Sequence, residues 1–320
     1  MAILKKIIIP IIILAVITLY YFYDFNRLNI TPKAYITNQG ENTVSIIDLK
    51  KLIMIKSIKV GVAPLGITIL KNNNLAFIGN VGTDDISVID TKKDEVIKTI
   101  KLNTAPLSLA SNAEESKVFV TDWFKNKVIV ISVKELKVIN TFSVGETPSG
   151  IAFNKKFNYL LVANRDENTI EIINSENYNI IKKLKVGKHP FGISTNGNFA
   201  YVANVYDDTI TEINLESFST TTVKVGDHPY NIKTYKNLGF VTNALDDSLS
   251  VIDLKEKQEF KKIRTGENPE NLDINIEFNL LVVTNWGSDS VSIYDLKNLT
   301  FIKEIKTGTQ SRSFGDFILQ

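Results

Sequence analysis

The sequence predicts an all-β fold: a seven-bladed β-propeller over residues 34–320, preceded by one N-terminal transmembrane helix. Three observations predict it. A set of phrases recurs seven times at a period of about 42 residues. The segments between turns are short and rich in Val, Ile, Tyr and Thr, with no helical periodicity after residue 33. An uncharged apolar run lies between Ile7 and Tyr23.

The apolar run comes first in the chain. Lys5 and Lys6 precede its 17 residues, about 25 Å as a helix and at the short end for crossing a bilayer. It ends in Leu19, Tyr20, Tyr21, Phe22 and Tyr23. Those bulky residues offer no small-residue cleavage site and suit a membrane–water interface. Residues 1–6 are therefore read as a cytoplasmic n-region and 7–23 as an uncleaved signal anchor. Residues 24–33 form a polar linker. The positive-inside rule puts everything after the anchor on the extracytoplasmic side. The alternative is cleavage, which would leave a secreted or periplasmic protein.

The first phrase of the repeat is AYITN at 34–38, then AFIGN, VFVTD, LLVAN, AYVAN, GFVTN and LVVTN, with spacings of 42, 42, 42, 40, 39 and 42 residues. A second phrase follows each, from VSIID at Val44 to VSIYD at Val291. A third ends in Pro: VGVAP, LNTAP, VGETP, VGKHP, VGDHP, TGENP, and finally TGTQS with Ser311 in its place. Four short strands in such a period make one propeller blade. Strand A follows the Pro, B is the AYITN type, C the VSIID type and D the segment after it. The repeats start on a B strand and finish on an A-like segment, SFGDFIL at 313–319. Pairing of that segment with the first B, C and D strands would complete seven blades and latch the ring.

These phrases resemble the YVTN-type β-propeller repeat family, in the strand-B phrase, the VSVID-like strand and the VGxxPxGI turn. The resemblance covers the chain beyond the anchor. It implies a seven-bladed fold in surface-exposed or exported proteins and no single activity. Departures are Asn103 for the turn Gly, Asp122 for the strand-end Asn, and Ser311 for Pro.

Composition removes several chemistries. There is no Cys, hence no disulfide, thiolate metal site or c-type haem attachment, and two His leave no three-histidine zinc site. No cofactor is expected. A net charge of +2 gives no reason to expect nucleic acid as a partner, and a monomeric propeller is expected.

Most recurring residues read as structural. The strand-B Asn residues are expected to close Asx turns, and the turn Gly residues at 61, 145, 187, 226, 266 and 308 to adopt angles other residues avoid. Small residues two positions past the Pro suit crowded inner strands. The pairs Asp84–Asp85, Asp207–Asp208 and Asp246–Asp247 read as turn chemistry, with calcium as the alternative. Lysines on strand D read as protection of blade edges.

Function should show where blades differ at equivalent positions. The residue before the Pro runs Ala63, Ala105, Thr147, His189, His228, Asn268, Gln310; the residue after it runs Leu65, Leu107, Ser149, Phe191, Tyr230, Glu270, Arg312. Both Trp residues occupy the position after strand B, as does Arg165. Alternating strand direction opens all these positions on one face. His189, His228, Tyr230, Glu270 and Arg312 are thus expected at the centre of a binding mouth that also takes in Phe191, with Trp123, Arg165 and Trp286 at its rim. The alternative is that they line a wet channel or plug it. His189, His228 and Glu270 are candidate metal ligands.

The expected function is a membrane-anchored, extracytoplasmic binding or protein-interaction module at the cell envelope, taking a protein, peptide or envelope glycan. One alternative is a lactonase-like hydrolase using His189, Glu270 and Arg312, although no nucleophile motif accompanies them. Another is a metal- or haem-binding propeller, similar in architecture to that of the dissimilatory nitrite reductases. A third is a structural envelope component.

Overall fold

The computed structural model describes residues 31–319, and the expected membrane anchor lies outside them. No helix of the described residues is long and apolar enough to cross a membrane. The described residues form seven sheets, antiparallel throughout but for one short added strand, arranged as a seven-bladed β-propeller. Blade 2 is representative, with strands A to D at Pro64–Leu70, Leu75–Asn80, Asp85–Asp90 and Glu95–Lys101.

Burial follows the strand order. Strands B and C are buried along almost their whole length, as in Lys33–Asn38 and Thr43–Asp48. Each sheet packs a face against the sheet on either side, so these strands are apolar on both faces. One apolar cluster joins Leu280 and Val282 of blade 7 to Tyr35 and Ile46 of blade 1 and Ile67 and Ile78 of blade 2. Strand D forms the outer edge. Ile53–Lys59 is exposed except at Ile58, and its lysines face solvent. Several strand-D lysines reach carboxylates beside strand C, including Lys101 to Asp85 at 2.7 Å and Lys262 to Asp246 at 2.7 Å.

The ring closes where the repeat count requires, by a segment that is broken rather than continuous. Ile318 and Leu319 pair antiparallel with Ala34 and Lys33, and Ser311 bridges Asn38. The sheet of blade 1 is thereby completed from both ends of the propeller sequence. Between those contacts, Phe314–Asp316 leans away and pairs in parallel with Gly66–Thr68, strand A of blade 2. Ser313 at φ 64° and Gly315 at φ 131° make the excursion. A Cβ on Gly315 would lie 2.0 Å from the Ile67 carbonyl oxygen, so only glycine passes there.

Polar side chains hold the latch. Asp273 Oδ2 accepts the backbone N–H groups of Phe317 and Ile318 at 2.9 and 3.0 Å. Lys233 is ion-paired with both Asp273 and Asp316. Asn231 Nδ2 donates to Asn271 Oδ1, and Asn271 Nδ2 donates to the Ser313 and Gly315 carbonyls. These two Asn occupy the position two past the Pro. At the same position Gly66, Gly150 and Gly192 meet atoms of the next blade, each leaving less than 2.5 Å for a Cβ. The crowding expected of the inner strands is present, and blades 6 and 7 replace it with an amide ladder.

Candidate ligand-binding mouth

The seven turns gather on one face by a repeated backbone hydrogen bond. The N–H after each strand B donates to the carbonyl before the next strand A in its blade. The pairs are Gln39–Gln310, Val81–Ala63, Trp123–Ala105, Arg165–Thr147, Val205–His189, Ala244–His228 and Trp286–Asn268. The two variable positions read from the sequence are therefore neighbours in every blade. Strand A then takes one extra residue against strand B just after its first residue in blades 2–7. Such a bulge re-aims the side chain it carries, here Leu65, Leu107, Ser149, Phe191, Tyr230 or Glu270.

The residue before the Pro carries the left-handed backbone: Ala63, Thr147, His189, His228, Asn268 and Gln310 all have φ between 47° and 57°. An Asn or Asp of the B–C loop accepts each N–H, as Asn168 does for His189 at 2.9 Å and Asp208 for His228 at 3.0 Å. Turn chemistry is thus the role of Asp208 and Asp247 in their acidic pairs. His and Asn tolerate this conformation better than most residues.

Two structural expectations need correction. The turn Gly residues do not have positive φ. They are needed because the strand-B Asn lies flat against them: a Cβ on Gly187 would sit 2.6 Å from Asn204 Cγ. Nor do those Asn close Asx turns. Asn204 Nδ2 instead donates to the Thr209 and Thr211 hydroxyls at 3.0 and 2.9 Å, tying strand B to strand C. Blade 3 lacks both partners. Asn103 takes the Gly position with φ 57°, and Asp122 uses Oδ1 to accept the N–H groups of Phe124 and Lys125. Two departures that look separate in sequence are one paired change.

The axis is plugged at the mouth. Leu65, Leu107, Phe191, Val205 and Phe314 form an apolar cluster against which Trp123 and Tyr230 pack. The Phe191 and Phe314 rings are 4.9 Å apart and Phe191 and Tyr230 5.1 Å. Beneath the plug lies a cavity of about 270 Å³ lined by inner-strand residues, including Ser108, Gly150, Ser194, Asn231 and Asp316.

The polar arc sits on top. Arg312 Nε lies 3.0 Å from Glu270 Oε2, and its guanidinium lies over the rings of Trp286 and Phe314 at 5.2 and 5.7 Å. Glu270 Oε2, Arg312 Nε and Trp286 Nε1 are all buried without a hydrogen bond of good geometry. Burial pushes the Glu270 carboxyl up to about 7, against the opposing pull of Arg312. Tyr230 is raised by burial and by Glu270.

The histidines lie in a second group. Arg165 Nε donates to His189 Nδ1 at 3.1 Å, so His189 is neutral; burial and then the Arg165 charge hold its pKa below the ordinary value. The Tyr206 ring stacks on His189 at 4.0 Å and meets His228 edge-on at 5.4 Å. His228 Nδ1 is 2.6 Å from Asp227 Oδ1. The structure therefore does not bring His189, His228 and Glu270 together as one ligand set. Tyr206 stands between the two imidazoles, and Glu270 is turned to Arg312. Among the described residues, Asp208, Asp227 and His228 are the group with ligand atoms within 4.8 Å of one another.

The sequence profile of the YNCE-like β-propeller family matches residues 29–200, just over half of the chain. The chain belongs to the YNCE-like β-propeller family. No curated protein matches it. Among solved structures, it is similar to Kuenenia stuttgartiensis hydrazine synthase, at 13% identity and TM-score 0.73 over 82% of this chain and 91% of that one. A functionally unknown protein from Desulfotomaculum acetoxidans gives 13% identity and TM-score 0.75, covering 88% and 99%. Dihydro-heme d1 dehydrogenase NirN in complex with DHE gives 11% and 0.65, covering 87% and 74%. At these identities the likeness is one of fold.

In this YNCE-like propeller the sequence reading missed two contributors to the mouth. Phe314 is one: by strand alternation it matches core residues such as Ile67 and Ile151, and only the Ser313–Gly315 excursion turns it to the axis. The other is the strand-B Thr. Thr242 and Thr284 donate to the carbonyls of Glu270 and Arg312 in the next blade, at 3.3 and 2.7 Å, and so position the polar arc. The recurrent T of the phrase was the available signal.

Proposed function

We propose that this protein is a membrane-tethered, extracytoplasmic binding module that engages a protein, peptide or envelope glycan at the propeller mouth. The observation that carries this reading is the placement of the two ends of strand B in blade 1. Asn38 stands at the mouth, and Lys33 stands at the opposite end of the same strand. Lys33 is anchored there by Asp94 at 2.6 Å. A tether joined at Lys33 leaves the mouth pointing away from the membrane that the apolar run 7–23 would enter. The varied residues all belong to that outward face, as a docking surface requires.

The hydrolase reading has less support. Ser149 is the strand-A hydroxyl at the mouth, and it donates to the Pro190 and Ala163 carbonyls. It is committed to structure rather than poised beside a base.

The test uses the full chain in mild detergent. Wild type and the Trp123→Ala and Trp286→Ala variants are compared for capture of envelope components and for turnover of lactones and esters. A specific component lost with either Trp variant supports the module. Turnover that disappears with Glu270→Ala while the fold persists would replace it with an enzyme.

A further inference from the structure

We infer that the polar arc of the mouth, Arg312 with Trp286, Tyr230 and Glu270, is a receptor for the free carboxylate of its ligand. This deepens the binding reading above and rests on it.

Arg312 has one neighbouring acceptor, Glu270, and among the described residues no other acceptor takes its side-chain N–H groups. Trp286 Nε1 has no partner among the described residues. The Tyr230 hydroxyl has none among the described residues. Three donor groups, on Arg312, Trp286 and Tyr230, therefore lie around one carboxylate of this arc, Glu270. A planar guanidinium held against two aromatic rings is preorganised for a two-oxygen acceptor. Phe191, Tyr230 and Phe314 supply an apolar floor beside it.

Glu270 acts as the resident stand-in for that carboxylate. It is 5% exposed and titrates near 7, so protonation weakens its hold on Arg312 at close to neutral pH. The charged and titratable groups that face it are Arg312 and Tyr230. Two sources share the required chemistry: a small organic acid, or the C-terminal carboxylate of a peptide.

The test uses the full chain, with binding read by isothermal titration calorimetry. Isocaproate is titrated alongside isocaproamide, its neutral analogue. A second pair is an N-acetylated tripeptide ending in leucine, with a free or an amidated C terminus. The expected result is saturable binding of the acids in the millimolar range and none of the amides. Arg312→Gln should weaken acid binding by about tenfold or more. Glu270→Gln should strengthen it several-fold and remove its improvement as pH falls through about 7. Tighter binding of the free tripeptide than of isocaproate assigns the peptide source; the reverse assigns the organic acid. Equal binding of acid and amide, no binding of either, or indifference to both Arg312→Gln and Glu270→Gln overturns the inference. If Trp286-dependent capture of an envelope component persists in that case, the mouth reading survives without it.

Discussion

Arg312 Nε and Glu270 Oε2 face each other at 3.0 Å across the seam between the first and last blades. The pair is largely buried, and its acid is held near neutrality. The folded pKa of Glu270 exceeds its ordinary 4.5. The stability this group contributes is therefore full below that value and is lost as pH rises through about 7. The change is on the order of 3 kcal/mol. Chemical denaturation across that window should show wild type losing stability with rising pH relative to Glu270→Gln. Parallel pH profiles for the two proteins would contradict the assignment.

His189 works in the opposite sense. Its folded pKa is depressed, so its contribution is present above the ordinary 6.5 and is lost as pH falls through the folded value. Proton NMR of the imidazole should show titration below the usual range. Arg165→Ala should return part of the shift and leave the larger part, which comes from burial. An unchanged titration in that variant would mean Arg165 is not the charge that His189 senses.

The Gly–Asn contact predicts non-additivity. Gly187→Ala should cost about 1–3 kcal/mol, because the new Cβ meets Asn204. Asn204→Ala alone should cost a similar amount through its two lost hydrogen bonds. Together they should cost less than the sum, since the second change removes Cγ and Nδ2, two of the three atoms the new Cβ meets, and leaves only the Asn204 Cβ. Strict additivity in denaturant melts would rule out the contact as the reason for the glycine.

Asp273→Ala should destabilise the ring by about 3–5 kcal/mol. It removes the acceptor of two buried latch N–H groups and leaves the partly buried Lys233 with only the exposed Asp316. Thermal unfolding measures this. A loss below roughly 1 kcal/mol would show that the latch is held by apolar packing instead.

Phe314→Ala should cost about 3–5 kcal/mol and join the lower cavity to the mouth. A crystal structure of the variant should show continuous solvent along the axis. A collapsed mouth with no channel would count against the plug.

Blade count, strand order and closure were legible because they rest on period and on turn residues, both of which are local. The convergence of Phe191, Tyr230, Glu270, Arg312 and Trp286 was legible for the same reason: equivalent positions in a closed ring must meet. What the sequence concealed was side-chain partnership. His189 and His228 occupy equivalent positions in adjacent blades, yet Tyr206 in the intervening loop separates them. The role of Gly187 was hidden because close approach and unusual φ both call for glycine. Phe314 was hidden because two positive-φ residues, Ser313 and Gly315, take it out of the strand-A register between the two contacts with blade 1.

The first blade draws its innermost strand from residues 311–319, so its other three strands are synthesised long before their partner. During synthesis, the edge from Lys33 to Asn38 has to wait through six intervening blades. Closure of the ring therefore has to follow synthesis of residues 311–319. An interruption late in synthesis would leave an unlatched ring whose seam, rich in Ile and Val, is open to a second copy.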